Sequence, residues 1–178
     1  TDYGAGVYNY TIYANDTSTP TNPAIPVKAS FEIERTYSVV DLYINGSSDN
    51  ISINEDLDVN MTAVLSRPLL GEYIQIYVNG SEEVNDTSPA TSIRPFSQPG
   101  YYEIRAEYIG NRNYTPDNMT FVIRINDTTP PNLTVVLPPL NDLYNESNNV
   151  TIQANVTDNV GVEKVFANIT WNVTGWQW

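Results

Sequence analysis

Ten times in this chain an asparagine, a large apolar residue and a serine or threonine stand in a row. The apolar residues are Tyr10, Ile51, Met61, Tyr114, Met119, Leu133, Val150, Val156, Ile169 and Val173. In a strand, residues i and i+2 share a face and i+1 points the other way. Each triplet therefore turns two polar residues to water and one apolar residue to a core. Val150, Ile152, Ala154 and Val156 are expected to face inward, with Asn149, Thr151, Gln153 and Asn155 outward. No segment holds a helical period. Short alternating runs are broken by Gly, Pro, Asn and Asp about every ten residues, the pattern of antiparallel sandwiches. Thirteen Tyr with abundant Val, Ile and Thr suit half-buried strands. The expected fold class is all-β, tandem immunoglobulin-like antiparallel β-sandwiches.

The same triplets are glycosylation sequons. Sixteen Asn-x-Ser/Thr sites begin at Asn9, Asn15, Asn45, Asn50, Asn60, Asn79, Asn85, Asn113, Asn118, Asn126, Asn132, Asn145, Asn149, Asn155, Asn168 and Asn172. With 22 Asn, and Ser plus Thr at 30 of 178 residues, chance pairing under the acceptor rule gives roughly four. The excess predicts a surface built to carry covalent N-glycans, hence an extracellular or cell-surface location. Six sequons hold Asp16, Gly46, Gly80, Asp86, Asp127 or Glu146 in the middle and read as turns. Asn113 is the weakest acceptor, because Pro116 follows its Thr115.

The formal charge is −13, with 8 basic residues scattered along the chain. Phosphate recognition needs clustered Lys and Arg, so neither nucleic acid nor an anionic membrane is an expected partner. Cysteine is absent, so stability has to come from packing. No apolar run approaches the ~20 residues of a membrane helix. No initiator Met or signal peptide opens the sequence, which reads as a mature product or a segment of something longer. Without His or Cys there is no imidazole acid–base step, no Ser-His-Asp triad and no ordinary zinc site. The expected protein is not an enzyme.

Two segments repeat. Gly6 to Ala14 and Gly100 to Tyr108 each open on Gly, place Tyr two residues on and then alternate. A Tyr near the start of strand F, bonded back to the backbone, is the tyrosine corner of immunoglobulin-like sandwiches. Tyr8 and Tyr102 are assigned that role. Each F-like strand is followed by a last strand, Ala29 to Arg35 in one case and Met119 to Ile125 in the other. Residues 38–127 then read as one complete domain. Strand A lies near Val39 to Ile44. Strand B runs near Leu57 to Leu65, with Leu57, Val59, Met61 and Ala63 inward. Strand C lies near Tyr73 to Val78 and turns at Asn79-Gly80, while strands D and E are poorly marked.

Glu72 to Gly80, followed by Gly100 to Tyr114 with its Tyr108-x-Gly110-x-x-Asn113-Tyr114 turn, resembles the immunoglobulin-like, Big-type repeats of large prokaryotic surface proteins. Asp127-Thr128-Thr129-Pro130-Pro131 and Asp158-Asn159-Val160-Gly161-Val162 are similar to a second repeat type of that kind, and residues 1–37 to its end. The resemblance covers nearly the whole chain, and the sequon density favours archaeal members. It implies architecture; such repeats serve as spacers, fibre units and adhesin stalks alike.

On this reading residues 1–37 are the last two strands, F and G, of one domain, and 128–178 are strands A to C of another. Together they are about as long as one sandwich of ~100 residues. A strand C bearing Trp171 and Trp176 without partners would leave an open apolar edge. Head-to-tail completion by a neighbouring chain or segment would close it, with Tyr8, Tyr10, Ile12, Trp171 and Trp176 in the contact. Weaker candidates are Ca²⁺ sites at Asn54, Asp56 and Asp58, or at Asp127 and Asp158, where solvated strand ends and Asx-turns are the plainer readings. Lys28 or Lys164 would form an isopeptide crosslink only if buried. The expected function is a structural subunit of a glycosylated filament, sheath or surface layer that partners itself. An adhesin stalk or carbohydrate-binding accessory module is the alternative.

Overall fold

The alternation produces strands throughout. A computed structural model describes residues 3–69, 71–139, 142–145 and 147–170, and among these there are twelve strands and no helix. The first pair is an antiparallel hairpin of β1 (Gly6–Ile12) and β2 (Val27–Ile33).

Eight strands then build a sandwich. They are β3 (Val39–Ile44), β4 (Ile51–Asn54), β5 (Asp58–Arg67), β6 (Tyr73–Val78), β7 (Ser81–Thr87), β8 (Ala90–Pro95), β9 (Gly100–Tyr108) and β10 (Asp117–Asn126). One sheet has the order β3-β5-β8 and the other β4-β10-β9-β6-β7. The facing side chains are those the alternation selects. On β5, Val59, Met61, Ala63 and Leu65 are buried while Asn60 faces water. Val40, Leu42 and Ile44 join them, opposed by Ile74, Ile76, Ile104, Ala106, Ile123 and Ile125. The all-β immunoglobulin-like sandwich expected of this segment is the observed fold.

Two Asn-Gly pairs turn the chain at positive φ, Asn45 at 51° with Gly46 at 79°, and Asn79 at 49° with Gly80 at 79°. That is the geometry of a type I′ hairpin turn. Each Asn also extends a ladder. Asn45 Oδ1 accepts the Asn60 amide at 2.8 Å, and Asn79 Oδ1 accepts the Glu103 amide at 2.9 Å.

One expectation changes. Leu57 is 53% exposed, not inward. Asp56 turns at a φ of 60°, so β5 starts one residue later and the alternation begins at Val59. The two strands that the sequence marked poorly are well defined. The Asn79-Gly80 turn is tight, so β7 doubles back on β6, and β8 then pairs with β5. Glu83 of β7 meets Arg94 of β8 at 2.9 Å, bridging the two sheets along that side.

The last described pair is antiparallel, β11 (Asn132–Leu137) with β12 (Gln153–Thr157). The chain divides into two units, Thr1–Ile125, which includes the hairpin with the sandwich, and Asn126–Trp178.

Candidate functional site

The hairpin β1–β2 repeats the register of β9–β10. Gly6 pairs with Ile33 as Gly100 pairs with Ile125, and Tyr8 with Phe31 as Tyr102 with Ile123. Both glycines take similar φ values, 150° and 147°. The Tyr8 hydroxyl donates to the carbonyl of Gly4, and that of Tyr102 to the carbonyl of Gln98 at 2.9 Å. Both are tyrosine corners, closing back over the same four residues. The faces differ. Ile104 and Ile123 are fully buried under the opposing sheet, whereas Tyr10, Ile12, Val27 and Phe31 remain exposed. Tyr8 is stacked on Phe31 of its own hairpin and meets Tyr3, whose ring lies 5.3 Å away edge-on.

The second unit carries an open apolar face of its own. Leu133 pairs with Val156 and Val135 with Ala154, as Leu42 pairs with Ala63 and Ile44 with Met61 in the sandwich. Here Leu133, Val135 and Ile152 are about half exposed or more. A groove of about 380 Å³ runs along them and takes Ala154, Val165 and Phe166 into its walls. Val150 and Ile152, expected in a strand facing a core, precede β12 and stay exposed, because no second sheet lies over them among the described residues. Residues 158–170, which lead from the expected strand B into the expected strand C, form no strand. Trp171, Trp176 and Asn172 lie outside the described residues.

Every described sequon asparagine is exposed except Asn126, which is half-buried. Within the sandwich that exposure discriminates, since the middle residues of the same sequons turn inward. Met61 is fully buried, and Ile51 and Tyr114 pack against the core, while Met119 stays 37% exposed. The asparagines sit at the β3 and β7 turns (Asn45, Asn79), before β4 (Asn50), on edge strand β7 (Asn85) and on outer faces (Asn60, Asn118). Several already use Oδ1 as an acceptor, such as Asn50 from the Val122 amide at 2.7 Å. A glycan attaches at Nδ2 and leaves that acceptor intact.

The weaker candidates fall on local structure. Asp127 Oδ1 accepts the Thr129 amide, and Asp158 Oδ1 accepts those of Val160 and Gly161 at 2.9 Å. Both are Asx-turns. Asp56 and Asp58 stand in and just after the turn into β5. No group of three acidic side chains able to hold a metal gathers among the described residues. Lys28 and Lys164 are exposed, and Lys164 pairs with Glu163, so the burial an isopeptide crosslink requires is missing.

Other residues carry roles the sequence reading did not assign. Asp16 organises the β1–β2 loop. The Asn22 amide above all, then the Ser18 hydroxyl and the Asn22 side chain, hold its carboxyl well below the usual range. Arg112 and Asn113 reach the hairpin. Their signal was present in the Tyr-x-Gly-x-x-Asn-Tyr turn, which marks a strand ending but says nothing of what the turn touches.

No protein-family model matches this chain, and no curated protein matches it. Among solved structures it is similar to the fibronectin(III)-like modules of Clostridium thermocellum CbhA, with 13% identity and a TM-score of 0.39 over 49% of this chain and 99% of that one. A likeness of that size carries no functional argument. No helix among the described residues is long and apolar enough to cross a membrane.

Proposed function

We propose that this chain is a structural subunit or repeat of a heavily N-glycosylated extracellular filament, sheath or surface layer. Its work is mechanical rather than catalytic, and the sequon density supports an archaeal surface setting. Neighbouring copies or segments join head to tail by strand complementation. The observation that carries this reading is the uncovered apolar face of β1–β2, held in the register that β9–β10 uses to close a core. The open face of β11–β12 supplies its counterpart. In the joint, Tyr8, Tyr10 and Ile12 of one copy pack against Val150, Ile152 and Val165 of the next. Strand donation adds main-chain hydrogen bonds and fills a core, so the contact is obligate.

On the sandwich sheets, the placement of aromatic residues favours this over a carbohydrate-binding module. Such a module groups exposed rings on one platform. Here Tyr101 opens β9, whereas the β6–β9 register sets Gln75 against Glu107 and so carries Tyr73 to the other end of the sheet. Between them Tyr77 is covered by the Arg105 guanidinium, 4.4 Å from its centroid.

The test compares three chains by sedimentation and electron microscopy. Residues 38–127 should be a folded monomer. The full 178 residues should form polymers. Deleting residues 1–37 should abolish them and leave the sandwich folded. Normal filaments after that deletion, or a stable full-length monomer, would refute complementation.

A further inference from the structure

We propose that the turn between β9 and β10 is a clasp that fixes the preceding hairpin to the sandwich, with the Asn113 side-chain carbonyl as its catch. The turn is set before it touches anything. Gly110 stands at a φ of +80°, and a Cβ there would come within 2.8 Å of the Tyr114 carbonyl and 2.9 Å of the Pro116 nitrogen. Asn111 Oδ1 accepts the amides of Asn113 and Tyr114 at 2.8 and 2.9 Å. Its Nδ2 donates to Glu72 at 2.7 Å, tying the turn to the start of β6. Tyr114 packs on the core. What the turn presents outward is therefore held rigidly.

It grips both ends of the hairpin. On the entering side, Asn113 Oδ1 accepts the Ala5 amide at 3.0 Å, and Arg112 donates from Nη2 to the Tyr8 hydroxyl at 3.2 Å. Gly4 passes so close that a Cβ would lie 2.6 Å from Asn113 Oδ1 and 2.8 Å from Arg112 Nε. On the leaving side, the Thr36 amide donates to the Asn113 carbonyl and the Thr115 amide to the Thr36 carbonyl, both at 2.9 Å. That is a short parallel bridge of Thr36 with Tyr114. Two attachments at separate points of the hairpin resist rotation about either one. The consequence is a set orientation between one repeat and the next, which makes an array of such repeats stiff rather than a string of beads. The clasp uses Oδ1, so it is compatible with a glycan on Nδ2 of the same residue. It also stands whether or not copies polymerise.

The test uses the full chain with three variants. Amide exchange is read at Ala5 and Thr36, with Ile104 and Ile123 as reporters of the intact sandwich. Residual dipolar couplings give the alignment of β1–β2 and of β9–β10. Asn113→Asp keeps an acceptor oxygen and loses the sequon. It should leave Ala5 protected and one shared alignment. Asn113→Ala should speed Ala5 exchange by about tenfold, the equivalent of one lost hydrogen bond. The two hairpins should then align separately. Gly4→Ala should loosen the same contact without altering the turn, and it carries the readout if Asn113→Ala perturbs the core reporters. Equal Ala5 exchange in the wild type and in both Asn113→Ala and Gly4→Ala overturns the clasp. So does an Asn113→Asp chain that behaves like Asn113→Ala, because the effect would then belong to the glycan.

Discussion

Tyr8 and Tyr102 occupy the same position in two hairpins of one chain, each two residues after its glycine, with its hydroxyl on the carbonyl four residues back. Their rings are covered differently. Tyr102 meets Phe96, 4.6 Å away edge-on and itself buried in the sandwich core. Tyr8 meets Phe31 of its own hairpin, stacked at 5.4 Å. The corner is thus a local device that forms with or without a second sheet.

Replacing Tyr102 by Phe should destabilise the sandwich by about 1 kcal/mol, since the Gln98 carbonyl loses its donor. Urea denaturation of residues 38–127 measures it. In the full chain, Tyr8→Phe should move the sandwich transition by less than about 0.5 kcal/mol, because the hairpin lies outside that core.

Core and open faces should respond oppositely to truncation. Met61→Ala removes a fully buried side chain and should cost about 2–5 kcal/mol. Ile152→Ala lies on the uncovered face and should cost under about 0.5 kcal/mol in the unassembled chain. In assembled material it should raise the concentration needed for polymerisation. Sedimentation alongside denaturation separates the two effects.

Alkali should weaken the sandwich through Tyr108. Burial, with Glu72 nearby, pushes its hydroxyl up from 10.0 to about 12. The unfolded chain then loses that proton before the folded one does. Stability is at its full value below pH 10 and falls as pH rises toward about 12. Tyr108→Phe should flatten that part of the denaturation profile.

Glycosylation is read by mass. Protein from its native source should lose mass on deglycosylation, with most of the sixteen sites occupied and Asn113 the least. A native mass equal to the bare chain ends the glycoprotein reading.

Strands β3, β5, β6, β9 and β10, the inward Val59, Met61 and Ala63 of β5 and the two Asn-Gly turns were legible from residues alone. Period-two burial and positive-φ turn chemistry are local rules that act within a few residues. The repetition of Gly-x-Tyr was legible for the same reason, and so was its corner. Leu57 shows where local rules stop. It keeps the alternation but sits ahead of the strand, because Asp56 has already turned the chain. The sheet assignment of β7 was equally hidden, since a strand pattern does not name its neighbour. Only the tertiary structure decided which apolar faces meet a partner. Tyr10 and Ile104 read alike in sequence, yet one is 45% exposed and the other fully buried. The difference lies in residues far along the chain that lie over one and not the other. The contact of Asn113 with Ala5 belongs to that class too, because it joins side chain to backbone across a separation that no periodicity spans.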